Sequence, residues 1–283
     1  MNKLAIVADT TQDLTFELGE EYGIEVLSYS IQMGEKHYKD QIDITTRQFY
    51  ETMEDYEVLS SGVPPLQDVM DRLDQLRSNG YTQALLITSA AKLTGMRQLY
   101  EVLLDQYEGL DLFVFETSHI GSTAGLHSIY AAELRDAGKI VEEILRELER
   151  VNQRASIFAL FRSLKYVIKG GRLNKYAGMI GTMLNINPLL TIQNSEITII
   201  NKARGKKKSY QSLVTAVQKE LSDTSRYKLV IFAGNNDEET AELEQDLVAE
   251  IKAAETFYVT ELTPVLGVHG GPKSVGVSIL KID

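Results

Sequence analysis

Residues Gln83 to Glu116, QALLITSAAKLTGMRQLYEVLLDQYEGLDLFVFE, read as strand, helix, strand. Gln83 to Thr88 and Leu112 to Glu116 are short apolar runs of the kind buried on both faces of a sheet, and Lys92 to Gln106 between them reads as a helix. A crossover of this length joins parallel strands. Toward the N-terminus, Lys3 to Ala8 reads as a buried strand leading to a helix from about Asp13, and Ile24 to Met33 alternates as one strand that Gly34 turns toward His37-Tyr38-Lys39. A short helix over Thr45 to Glu54, a hydroxyl-bearing loop from Ser60 to Pro65 and a helix over Leu66 to Ser78 come next. On the C-terminal side, Ser122 to Asn152 is mostly helix, broken near Gly138. Strands separated by helices predict a parallel sheet wrapped by helices, an α/β layer domain.

Composition bounds the rest. The 283 residues are 43% hydrophobic and 24% charged, enough for two domains with substantial cores. Neither a membrane-spanning run nor a signal peptide is read, so the expected location is the cytoplasm. With no cysteine, disulfides, thiolate zinc sites and cysteine nucleophiles are excluded. A net charge of -11 argues against general affinity for nucleic acid or anionic membranes.

The second half starts near Ala155. Ser156 to Phe161 reads as a strand and Leu164 to Ile168 as a helix stopped by Lys169-Gly170-Gly171-Arg172. A helix over Asn174 to Leu184 carries Gly178 and Gly181 on one face. Leu189 to Gln193 and Glu196 to Asn201 read as a hairpin about Asn194-Ser195. A basic run follows, with five positive charges between Lys202 and Lys208, read as a loop that is either a solvated surface or a steering patch for a negatively charged partner. Then come helices at Tyr210 to Leu221 and Asp237 to Ala253, strands at Tyr227 to Ala233 and Thr256 to Thr260, and a last strand at Val275 to Ile282.

Candidate chemistry collects at strand ends. Asp9 and Thr10 stand where the first strand meets a helix, and Ser61, Ser89, Thr94 and Ser118 are delivered by neighbouring loops, so these hydroxyls can surround one small polar group. Each is also what a helix cap requires. In LTPVLGVHGGPKSVGV, Leu262 to Val277, the predicted setting of His269 is a constrained loop made by Gly270, Gly271 and Pro272. An imidazole there can donate to an anion or move a proton. The segment Gly121-Ser122-Thr123-Ala124-Gly125 imitates a nucleophile elbow, but Thr117 to Ile120 separate it from its strand. An enzyme using His269 as base would need an acid to orient it, for which Asp9 is the one candidate. A DNA-binding regulator would rest on the basic run alone.

Taken in order, Asp9-Thr10-Thr11, the Ser61 loop with Pro64, Leu93-Thr94-Gly95, Lys169-Gly170-Gly171-Arg172, Leu184-Asn185-Ile186-Asn187-Pro188, Arg204 with its lysines, and His269-Gly270-Gly271-Pro272 resemble the DegV family of bacterial fatty-acid-binding proteins. The resemblance implies a two-domain α/β fold. A three-layer domain with a parallel sheet over residues 1–154 would join a mixed-sheet domain over 155–283, with the ligand between them. It also implies a non-catalytic protein that needs no cofactor. Such a protein buries the tail of a long-chain fatty acid, hydrogen-bonds the carboxylate and presents it to a separate FakA-like kinase for acyl-phosphate formation and phospholipid synthesis, touching a membrane at most transiently. The carboxylate-binding residues carried over are Ser61, Thr94 and His269, with Asp9, Thr10, Ser89, Ser118 and Gly270 as supporting candidates. Arg172, Arg204 and Lys206 fall at positions associated with ligand exit or kinase docking. Ser61 and Thr94 exchange Thr and Ser relative to the family pattern and keep a hydroxyl donor at both places. Gly62, Met96, Thr123 and Gly270 depart from it and reshape the pocket that selects the lipid.

Overall fold

The computed structural model describes residues 3–173 and 186–283. Four strands, β1 (Leu4–Asp9), β2 (Ile24–Leu27), β6 (Gln83–Thr88) and β7 (Asp111–Glu116), form a wholly parallel sheet in the order β2-β1-β6-β7. The stretch that opened the sequence reading thus supplies two adjacent strands of it. Six strands form a mixed sheet ordered β10-β9-β8-β13-β11-β12: β8 (Ala155–Leu160), β9 (Ile186–Gln193), β10 (Glu196–Arg204), β11 (Tyr227–Gly234), β12 (Thr256–Glu261) and β13 (Ser274–Lys281). Every neighbouring pair in it is antiparallel except β11 with β12. The α/β class with one parallel and one mixed sheet is as expected.

A third sheet was not. β3 (Ser30–Met33) lies between β4 (Lys36–Lys39) and β5 (Leu59–Gly62), all antiparallel. The single strand expected over Ile24 to Met33 is therefore two strands in two sheets. The break falls at Ser28-Tyr29, where the Ser28 hydroxyl donates to the Asp40 carbonyl at 2.7 Å and the Tyr29 N–H donates to Thr10 Oγ1 at 3.2 Å. Burial alternates on both sides, but Val26 and Leu27 are both buried, so the alternation changes phase just before the break. The Ser60 to Pro65 loop gives up its first half to β5 in the same way.

Helices surround and separate the sheets. α1 (Phe16–Tyr22), α2 (Thr46–Thr52), α3 (Leu66–Ser78) and α4 (Met96–Gln106) belong to the first half. α5 (Ser122–Asp136) packs against both β1 and β13, so it lies between the parallel and the mixed sheet. Burial all round its first turns explains its small residues, Ala124, Gly125, Ala131 and Ala132, which let flanking layers approach. α6 (Val141–Asn152) is amphipathic and buries Val141, Ile144, Leu148 and Val151. α7 (Lys165–Lys169), α8 (Lys206–Leu221), α9 (Asp237–Asp246), α10 (Val248–Ala253) and α11 (Pro264–Gly270) follow. The helix expected over Asp237 to Ala253 is broken at Leu247, and the one expected over Asn174 to Leu184 lies outside the described residues. One apolar core runs from Val7 and Leu86 through Phe49 to Ile157, Phe232 and Leu266, tying the sheets together beside the site.

Candidate functional site

His269 stands in the last turn of α11, not on the loop expected from its glycines. Pro264 occupies a first-turn position of that helix, where its fixed φ is pre-organised and its missing N–H is no loss. Of the two glycines, Gly270 stays helical and only Gly271 enters the left-handed region, with φ 71°, to end the helix. The segment after β1 is likewise a 3₁₀ turn, Thr10–Gln12, and α1 begins only after its cap, Thr15. Asp13, expected to start that helix, instead takes φ 51° and joins two other helix N-termini. One oxygen accepts the Thr263 N–H and the other the Ser122 N–H, both at 3.0 Å. Burial pushes its pKa up to about 7 against the pull of these hydrogen bonds.

The site forms where α11 meets β5. Ser61 Oγ lies 2.9 Å from His269 Nε2, a contact between residues 208 apart in sequence. Thr94 is buried in the turn before α4; that helix starts at Met96 rather than Lys92 because the Ala90 carbonyl takes the N–H groups of Leu93 and Thr94. A cavity of about 250 Å³ opens here, its polar lining supplied by Thr11, Tyr29, Ser61, Thr94, Arg172 and His269. A second cavity of about 80 Å³ shares Leu93, Ile120, Arg172, Leu266 and His269 with the first. The rest of its wall is mostly apolar, with Ile157, Ala159, Phe161, Phe232 and Leu262, and includes the buried Asp13.

Ionisable groups at the cavities are few: the Arg172 guanidinium borders both, His269 borders both, and the buried Asp13 carboxyl borders the smaller one. The Arg172 guanidinium donates to the Leu93 and Gly170 carbonyls at 3.3 and 2.6 Å, which aims it at both cavities. Burial, and then the charge of Arg172, pull the His269 pKa down to about 4, so the imidazole is neutral at pH 7. Among the described residues its Nδ1 has no hydrogen-bond partner, and the Tyr29 and Thr94 hydroxyls have none beyond each other. Asp9 is turned toward Thr11, accepting from its N–H at 2.8 Å and from its hydroxyl, and burial raises its pKa to about 6. One guanidinium with several uncommitted hydroxyls suits a single anionic head, and the apolar extension suits a tail.

The other expected residues divide. Ser89 Oγ lies 2.9 Å from Thr11 Oγ1, one hydrogen bond behind the cavity wall, and Gly270 lines the apolar cavity. Thr10 and Ser118 are not brought to the site. Thr10 Oγ1 accepts from Tyr29 N–H, and Ser118 Oγ accepts from the Asn152 amide at 3.2 Å. The basic run is no loop: Lys202 to Arg204 end β10 and Lys206 begins α8, with Lys206 Nζ 2.9 Å from Glu238. Arg204 is exposed, away from the cavities. Thr123 is fully buried inside α5 and donates to Ser278 Oγ at 2.7 Å, so the elbow-like segment presents no nucleophile. Sequence reading missed Thr11, Tyr29 and Gly170. Tyr29 carried no signal beyond strand alternation, and Gly170 read only as a helix stop. Among the described residues, no group of His, Asp and Glu could hold a metal ion, and no helix is long and apolar enough to cross a membrane.

Comparison with known proteins adds to this geometry. The model of a family described as "uncharacterised protein, DegV family" matches residues 3–281. A DegV domain-containing protein of Clostridium acetobutylicum is 32% identical over 282 residues, covering 99% of this chain and 100% of its own. Among solved structures, a Thermus thermophilus DegV family protein described for fatty acid binding superposes with a TM-score of 0.90 at 24% identity, with 99% of each chain covered. A stearic-acid-binding protein of Eubacterium ventriosum superposes with a TM-score of 0.85 at 21% identity, again with 99% of each chain covered.

Proposed function

Since the chain belongs to the DegV family, we propose that it binds a long-chain fatty acid and carries it as a non-catalytic protein. The carboxylate would sit in the polar cavity. Ser61, Thr94 and His269 donate to it there, Arg172 balances its charge, and the tail follows the apolar cavity between the halves 1–154 and 155–283. The observation that carries this reading is the junction of the two cavities at His269 and Arg172: the hydroxyls, the imidazole and the guanidinium gather on one side of it, and apart from the buried Asp13 the wall on the other side is apolar, which is the polarity of a fatty acid. Each buried methylene contributes roughly 0.8 kcal/mol, so a tail of ordinary length holds firmly. At about 80 Å³ the apolar cavity has the volume of only a few water molecules, so the tail must spread the side chains around it.

The Ser61–His269 pair invites comparison with a nucleophile and its base. A hydrolytic triad needs a carboxylate on the far nitrogen of the imidazole, and among the described residues His269 Nδ1 has no hydrogen-bond partner, neither Asp9 nor any other carboxylate. The pair therefore serves as donors. The acid would be presented to a separate FakA-like kinase, with Arg204 and Lys206 on the docking face. Both are exposed, and the surface pair of Lys206 with Glu238 is weak enough to be exchanged for a partner's carboxylate.

Native mass spectrometry of the purified protein, followed by denaturing extraction, tests the binding. The expected result is one long-chain fatty acid per chain. A spectrum with no acid, repeated after incubation with a panel of fatty acids, would overturn the reading. Charge reversal at Arg204 and Lys206 is expected to impair phosphorylation of the bound acid by a fatty acid kinase and to leave the bound acid in place.

A further inference from the structure

One row of residues crosses the mixed sheet under the apolar cavity: Ala159 on β8, Gly276 on β13 and Phe232 on β11. The register pairs Gly276 with Ala159 on one side and with Phe232 on the other. Directly opposed residues of antiparallel strands project to the same face, so the three form a single line. That face is the cavity's, since Ala159 and Phe232 both line it, whereas Val275 and Val277 pack with α8 on the opposite face. A side chain on Gly276 would collide with the ring of Phe232 and the carbonyl of Phe158. The ring therefore lies across β13, in the space a Cβ would take.

The residues shared with the polar cavity mark the end where a carboxylate sits. Phe232 is not among them and lines the apolar cavity alone. A methyl, a hydrogen and a benzyl group in one row make a trough over two strands that is closed at the third. Beyond Phe232 the register leads to Thr260, whose hydroxyl is committed to the Asp13 carbonyl at 3.3 Å, so the ring is also the last apolar group on that line. We propose that Phe232, laid over Gly276, is the end stop of the acyl-tail cavity and sets the length of fatty acid the protein accepts. This assignment rests on the fatty-acid reading and adds a specificity determinant to it.

The test is competition. The wild-type protein, Phe232→Ala, Phe232→Leu and Ala159→Val are each incubated with an equimolar mixture of saturated fatty acids of graded length, and the bound acids are read by native mass spectrometry. Phe232→Ala is expected to move the preferred acid about two to four carbons longer, the room freed by a benzyl-to-methyl change, and to raise the ratio of long to short acid about tenfold. Phe232→Leu should move it the same way by less. Ala159→Val fills the trough from the other strand and should move it shorter. Should Phe232→Ala fail to fold, Phe232→Leu and Ala159→Val decide the matter. An unchanged length profile in folded, acid-binding variants overturns the end stop alone. A wild-type protein that takes up no acid overturns the binding function and the end stop with it.

Discussion

Gly170 shows how closely the site is fitted at the scale of single residues. Its backbone has φ -74°, which any residue adopts, yet a Cβ there would run into His269 Nδ1. Gly170→Ala is therefore expected to displace the imidazole without removing any donor and to weaken fatty acid retention about tenfold, close to the effect of His269→Ala. Retention by Gly170→Ala equal to wild type, read by native mass spectrometry, would show that the His269 ring need not stand where it does. Ser61→Ala removes a hydrogen bond to a charged group, worth about 1.5–3 kcal/mol, and should lower affinity at least about tenfold in a titration with a fluorescent fatty acid. Ser61, Thr94 and His269 were singled out in the sequence through the resemblance, since each hydroxyl alone is also what a helix cap requires, and the structure places all three on one cavity. Choosing Thr11 over Thr10 was not possible from sequence. The twist of a three-residue turn decides which of two adjacent threonines faces the cavity, and composition is blind to it.

Elements were legible where a local signal fixed them and opaque where tertiary contacts did. The β9–β10 hairpin was read from Asn194-Ser195, and both residues take left-handed φ values, 52° and 60°. A type I′ turn of this kind prefers Gly at its second position, and left-handed backbone is unfavourable for Ser by about 1 kcal/mol. Ser195→Gly should therefore raise stability by about 0.5–1 kcal/mol, seen as a higher denaturation midpoint at unchanged slope. A lower midpoint would mean that the Ser195 side chain makes a contact worth more than the strain. α11 was missed because its start is held from far away, by an Asp13 some 250 residues earlier in sequence, and its end carries two glycines that read as a turn. The sheet β4-β3-β5 was missed for a related reason, since its strands are four residues each and neither β4 nor β5 alternates in burial.

For the molecule as a whole, buried ionisable groups oppose one another. Burial raises Asp9, Asp13 and Asp40 from 3.8 to about 6, 7 and 7. In the fold each keeps a proton that the unfolded chain has lost, so its stabilising effect is full below pH 3.8 and disappears as the pH rises through 6 to 7. Burial lowers His119, His127 and His269 from 6.5 to about 4, 3 and 4. Their effect is full above pH 6.5 and disappears as the pH falls toward 4. Between those limits the two sets cancel, and above them only the aspartates still titrate. The melting temperature should stay nearly level from about pH 4.5 to 6.5 and then fall toward pH 8, with a shallower fall in Asp13→Asn. A steady rise from pH 6.5 to 8 in a thermal-shift series would contradict the assignment of protonated aspartates. The parallel sheet was legible at this scale from the alternation of strands and helices and the mixed sheet from the resemblance, whereas the interior was not, because a packed core and the wall of a cavity are built from the same residues. The place of β13 matters in time as well as in space. It is the last of the strands in chain order, yet it sits between β8 and β11, and the row that ends at Phe232 exists only once it is inserted. A chain emerging from the ribosome at about 5–20 residues per second therefore keeps a gap in the middle of this sheet until Ser274–Lys281 have followed the other five strands out. The cavity wall is thus completed in a single step, and a chain that has not yet added β13 cannot enclose anything against it.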